Sequence, residues 1–166
     1  GTTRLHGTIE GEADHSGSTS MTDRTDALAA TSELILSLEQ AAQDSAESAG
    51  TAVATVGELS VDPSAVNVIP GLVEFSADIR DVNQVVIDQL VDSVKAKLQS
   101  LEESRGVETT LECTYEVPPA DMAPVCRDAL HGAGDSFNIE TVDIHSGAGH
   151  DTMQIAAATD TGLLFA

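Results

Sequence analysis

His15 stands in "GEADHSGSTSM" (residues 11–21), surrounded by glycines, small hydroxyls and acids. Residues 10–20 carry no apolar periodicity that would bury an imidazole. The stretch is therefore either an inconsequential surface loop or a histidine presented to something beyond that loop. A second histidine, His150, sits in "SGAGHD" (146–151), between a run that reads as a strand and one that reads as a helix, the place where ligands bind in α/β folds. Its two glycines admit close backbone approach. His150 can then be a metal ligand with Asp151 as cap or partner; the alternative is a tight turn with Asp151 capping the helix and His150 in solvent. Asn67, between two prolines in "PSAVNVIPG", and Arg80, closing "LVEFSADIR", can together hold a carboxylate, the guanidinium bidentately. Read singly, they are a turn asparagine and an arginine paired with Asp78 or Asp81. Ser146, His150 and Asp151 are too close in sequence to be taken as a triad, and no nucleophile elbow surrounds the serine. His131 and His145 lack partners and read as surface residues.

The elements that must position these groups follow from periodicity. Leu5 and Ile9 alternate with Arg4, His6, Thr8, Glu10 and Glu12, which predicts a strand over 4–13. A helix is expected from a cap at Thr22 or Asp23, its stripe formed by Ala27, Ala30, Leu34, Leu38 and Ala41 and ended before Gly50. "TAVATVGELSVDP" reads as a strand closed by Pro63. Val73, Phe75, Ala77 and Ile79 alternate against Glu74, Ser76, Asp78 and Arg80 in the clearest strand of the chain. Asn83 can cap a second helix with Ile87, Leu90, Val91, Val94, Leu98 and Leu101 as its stripe. "VETTLECTYEV" gives a fourth strand, with Cys113 on its apolar side. The order βαββαβ, each strand with one apolar face, predicts an α+β, ferredoxin-like sandwich over residues 1–117. Past "PPA", residues 118–166 change to a helix near 121–133, a strand "IETVDI", the "SGAGHD" loop, a helix from 151 and a last strand "GLLFA". That grammar is a partial α/β segment, too short to bury its own core.

Composition narrows the partners. Among 166 residues, 28 acids against seven bases give a net charge of −21, which repels nucleic acids and anionic membranes. Regular apolar patterning argues for a folded protein with an acid-coated surface, as halophiles use. Three Phe, one Tyr and no Trp make the core aliphatic. Cys113 and Cys126 have no metal spacing and read as buried or partly buried thiols in a reducing cytoplasm. No apolar run is long enough for a membrane span, and a chain that starts without Met and stops on "GLLFA" reads as a fragment.

"GEADHSGSTSMTDRTDAL", "TVGELSVDPSAVNVIPGLVEFSADIRD" and "SGAGHD", in this order and spacing, resemble the hydantoinase/carbamoylase amidases. These belong to the M20 metallopeptidase-like group, with N-carbamoyl-L-amino-acid hydrolases, β-ureidopropionases of one type and allantoate amidohydrolases. The resemblance covers essentially the whole chain. It implies a lid (dimerisation) domain at 1–117, a partial C-terminal section of the metal-dependent catalytic domain at 118–166, and a homodimer formed through the lid. It implies two divalent ions, zinc or manganese, with His150 matching the last metal-binding histidine. His15 matches the catalytic lid histidine that reaches the partner subunit's site and polarises the scissile carbonyl. Asn67 and Arg80 match the lid residues that hold the carboxylate of a small-molecule substrate. The implied reaction is hydrolysis of a C–N bond in a carbamoyl or ureido group by water activated at the metals. Where the family commonly has Thr-Thr-Pro, this chain has Ser18-Thr19-Ser20, a less constrained loop. The family's other metal ligands and its glutamate base lie upstream of such a segment, so this chain alone is expected to be inactive. Two other readings stay open: an M20 peptidase or aminoacylase-type hydrolase, and an isolated non-catalytic dimerisation module.

Overall fold

The computed structural model describes residues 1–165; Ala166 and the side chain of Ala49 lie outside the described set. Among the described residues the chain runs β1 (Thr2–Glu10), α1 (Ala27–Ala49), β2 (Val53–Asp62), β3 (Leu72–Arg80), α2 (Gln84–Arg105), β4 (Glu108–Val117), α3 (Pro124–Ser136) and α4 (Asp151–Ala156), with a 3-10 turn at Met21–Asp23. The four strands form one antiparallel sheet in the order β2-β3-β1-β4. This is the ferredoxin-like α+β sandwich expected from βαββαβ.

The alternation in β1 and β3 sends Leu5, Ile9, Val73, Phe75, Ala77 and Ile79 to one face, all buried. The helices cover that face with the residues their periodicity marks, Leu34 and Leu38 from α1 and Ile87, Leu90, Val94 and Leu98 from α2. At about 25 cal/mol per Å² of apolar surface buried, this aliphatic layer is the main stabilising term of the sandwich. Both long helices end on a left-handed glycine, Gly50 at φ 82° and Gly106 at φ 70°, where a side chain would be strained. Glu33 ties the helices together, accepting from Lys97 Nζ at 3.0 Å and from the Arg105 guanidinium. These two cations, Arg105 foremost, hold its carboxyl below the usual range.

Two features differ from the sequence expectation, the start of α1 and the exposure of Cys113. α1 starts at Ala27 rather than at Thr22 or Asp23, because Asp26 accepts from Ala29 N–H while Thr25 O is taken by Glu12 N–H. Ser20 caps the short turn at Met21–Asp23 instead. Cys113 is exposed, not buried: it pairs with Leu5, but on the edge strand, where little packs over it. A bulge there, Arg4 opposite Tyr115 and Leu5 opposite Cys113, leaves Thr114 over and turns Tyr115 beside Arg4 on the open face. The guanidinium of Arg4 lies 5.1 Å from the Tyr115 ring centre.

Residues 118–165 contain no buried residue, and Phe137, Val142 and Ile144 are exposed. The expected strands at "IETVDI" and "GLLF" are not formed among the described residues; Ala166 falls outside them. Neither segment lies against another strand, and an unpaired extended run has no ladder to join. His131, expected to lack partners, has two: Thr141 Oγ1 at 2.6 Å and Asp143 Oδ1 at 3.1 Å. It ties α3 to the stretch beyond it. No helix among the described residues is long and apolar enough to cross a membrane.

Candidate functional site

His15 owes its place to the main chain. Past the end of β1 the pairing with the β3 side continues: Gly11 N–H donates to Gly71 O at 2.7 Å, Ile69 N–H to Asp14 O at 2.8 Å and Ser16 N–H to Asn67 O at 3.0 Å. His15 itself bridges to Val68. The His15 and Asn67 loops are thus paired side by side, both residues exposed. Asp14 braces the turn from within, accepting His15 N–H on Oδ1 at 2.7 Å and the Thr19 hydroxyl on Oδ2 at 2.7 Å. Those bonds, Thr19 first, hold its carboxyl below the usual range. Arg24 wraps back and donates from Nη2 to Ser16 O at 2.6 Å and Thr19 O at 3.1 Å.

The ring of His15 is oriented by Gly17, whose N–H donates to Nδ1 at 3.1 Å. Nδ1 must be unprotonated to accept, so the neutral ring carries its hydrogen on Nε2 as an outward donor. A Cβ on Gly17 would stand 3.1 Å from His15 Cε1, so only glycine leaves the ring undisturbed.

Arg80 and His150 lie elsewhere. In the β1/β3 ladder Thr2 faces Arg80 and Glu10 faces Leu72, so Arg80 is at the end of the sheet opposite to the His15 and Asn67 loops. The nine residues of β3 between them extend roughly 26 Å at 3.3 Å per residue. Arg80 Nε donates to Asp78 Oδ1 at 2.5 Å and Nη2 to Asp78 Oδ2 at 3.1 Å, while Nη1 donates to Gly147 O at 2.9 Å. Asp78 also accepts from Arg4 Nε at 2.9 Å. The two guanidiniums, Arg80 first, hold the Asp78 carboxyl below its usual range, and the pairing raises Arg80 further above neutrality.

Gly147 belongs to the loop of His150. That histidine is half-buried, its Nε2 3.0 Å from Ser146 Oγ and its ring edge-on to Phe165 at 5.3 Å between centroids. It occupies the cap position of α4 without a side-chain capping bond, and Asp151 lies in the first turn. Ser146 and His150 line a cleft of about 1140 Å³ with Gly1 and Val82 from the sandwich. The structure therefore groups the four candidates in two pairs, His15 with Asn67 and Arg80 with the His150 loop. The single carboxylate clamp of Asn67 and Arg80 is not assembled within one chain. Asp14, Arg24 and Gly17, which hold His15, are not themselves reactive; in the sequence they stand only as an acid directly before the histidine, an arginine in a polar run and a glycine two positions after the histidine.

Residues 1–105 match the signature of the peptidase dimerisation domain of the M20 group. The chain belongs to this family. Its relatives carry the same section within longer chains. An N-carbamoyl-L-amino-acid amidohydrolase of Paenarthrobacter aurescens is 33% identical over 165 residues, 99% of this chain and 39% of that protein. One from Geobacillus stearothermophilus is 35% identical over 95% of this chain and 38% of its own length. An allantoate deiminase of Arabidopsis thaliana is 31% identical, with 99% of this chain and 36% of its own covered. Among solved structures, a hydantoinase/carbamoylase family amidase from Burkholderia multivorans superposes with a TM-score of 0.89 at 32% identity, over 96% of this chain and 38% of that one. The dimerisation-domain chain thus spans about two fifths of the length of the relatives it matches. The likeness to hydantoinase/carbamoylase amidases drawn from the three sequence motifs is borne out.

Proposed function

We propose that this chain is the lid, residues 1–117, with an adjoining catalytic-domain section, 118–166, of a homodimeric amidase. The intact enzyme would hydrolyse the C–N bond of N-carbamoyl amino acids or related ureido compounds that carry a free carboxylate. The relatives' activities support the reaction class. One observation carries the reading of the site: His15 and Asn67 stand at one end of the sheet, and Arg80, bonded to the His150 loop, at the other. A small substrate cannot bridge roughly 26 Å. In a dimer joined through lids, His15 and Asn67 of one subunit complete a site built on Arg80 and His150 of the other.

In that composite site Arg80 binds the carboxylate and Asn67 adds an amide donor. His15 Nε2–H points at the scissile carbonyl oxygen, where it stabilises the charge that develops as water adds to the carbon. Two divalent ions, zinc or manganese, would activate that water in the intact enzyme, with His150 as one ligand. Among the described residues no group of three or more His, Cys, Asp or Glu side chains is placed to hold a metal. The described residues do not by themselves supply such a group, and the chain alone is expected to be inactive. Two free thiols, Cys113 and Cys126, fit a reducing compartment, the cytoplasm.

The test is steady-state hydrolysis by the full-length protein of an N-carbamoyl-L-amino acid and of its carboxamide-capped counterpart. Turnover of the free acid, with kcat/KM at least about tenfold lower for the capped form, is expected from loss of a charged bidentate contact. Equal turnover of both, or cleavage of peptides alone, would contradict the reading.

A further inference from the structure

We propose that Asp78 is a positioning residue for this carboxylate grip. It holds Arg80 side-on and leaves the Nη1/Nη2 edge as the one bidentate edge for a substrate. The inference rests on the composite amidase site described above.

A guanidinium offers two edges that can each take both oxygens of a carboxylate, one formed by Nε and Nη2 and the other by Nη1 and Nη2. Asp78 fills the first edge with both of its oxygens, at 2.5 and 3.1 Å. The Gly147 carbonyl, 2.9 Å from Nη1, accepts one of the two Nη1 hydrogens and sets that end of the guanidinium beside the His150 loop, leaving one hydrogen on Nη1 and one on Nη2. Asp78 is itself clamped. Arg4 donates to its Oδ2 at 2.9 Å, and Arg4 is in turn laid over Tyr115, which the β4 bulge turns to this face. Arg80 is thereby oriented before any substrate arrives, which spares the ordering of a long side chain on binding.

Arg80 is the residue that meets substrate; Asp78 acts only through it. That relation is testable in the full-length enzyme by a cycle of Asp78→Asn, Arg80→Ala and the double variant, with kcat and KM read for the free acid and the capped substrate. Asp78→Asn keeps the shape and removes the charge, and should raise KM for the free acid about tenfold with kcat within about twofold. It should leave the capped substrate unaffected and add nothing in the Arg80→Ala background. If Asp78→Asn fails to fold, Asp78→Ser is read in the same cycle with the same expectations. An unchanged KM in Asp78→Asn beside a raised KM in Arg80→Ala would overturn the role of Asp78 and leave the site reading standing. An equal rise with and without Arg80 would make Asp78 merely structural and also overturn it. An Arg80→Ala enzyme with unchanged KM for the free acid would overturn the site reading and this inference together.

Discussion

At the Glu10 end of the sheet His15 is held by main-chain pairing with the Asn67 loop and by close neighbours in its own loop, whereas at the other end Arg80 is held by side-chain charge and by a carbonyl from residues 118–165. The first arrangement is complete in itself. Its anchors, Asp14, Gly17 and Arg24, come from within ten residues of the histidine, and buried Ile69 seats the neighbouring loop. The second leans on a segment without a buried residue. A loop that is ordered by its own chain yet exposes its one reactive donor is suited to act on another molecule. An arginine tied to the His150 loop is suited to act in its own.

The largest effect should come from the self-contained end. In the intact enzyme His15→Ala is expected to lower kcat by about 10²–10³, the loss of one oxyanion donor, with KM little changed. A rise in KM alone would place His15 in binding rather than catalysis. Gly17→Ala sharpens the point, since the added carbon crowds the imidazole without removing the N–H donor. It should cost about tenfold in kcat through misplacement of the ring, at an unchanged melting temperature because Gly17 is exposed; unaltered kcat would show that the ring orientation does not matter.

The smallest effect is global. Self-repulsion at a charge of −21 is relieved as salt shortens the Debye length, already about 10 Å at 0.1 M. The melting temperature should rise between low and molar KCl. A flat or falling curve would contradict the acid-coated, salt-adapted reading.

The sandwich was legible in the sequence because each of its elements buries one face, and burial writes a period. Leu34, Leu38, Ile87, Leu90 and Phe75 are all where alternation or helical spacing puts them. The start of α1 was not legible, since Asp23 and Asp26 are equally good caps in isolation and only the tie from Glu12 to Thr25 chooses between them. Cys113 misled because alternation reports which face a residue takes, not whether that part of an edge strand is covered. The strands expected beyond Val117 needed a neighbouring strand that the sequence cannot supply by period alone. The candidate residues were legible as types, yet their grouping was not. Asn67 and Arg80 are thirteen positions apart in sequence and at opposite ends of the sheet, because β3 runs its full length between them.

The central claim, that His15 and Arg80 of one chain serve different active sites, is tested by mixing full-length His15→Ala and Arg80→Ala dimers, the first impaired in kcat and the second in KM, and measuring activity at sub-saturating substrate once heterodimers have formed. If each site takes His15 from one subunit and Arg80 from the other, one site of the heterodimer inherits both defects and the other neither, and about half of wild-type activity returns per heterodimer. If the two residues serve the same site from one chain, every site carries one defect. No recovery, with heterodimers demonstrated by mass, would contradict the account.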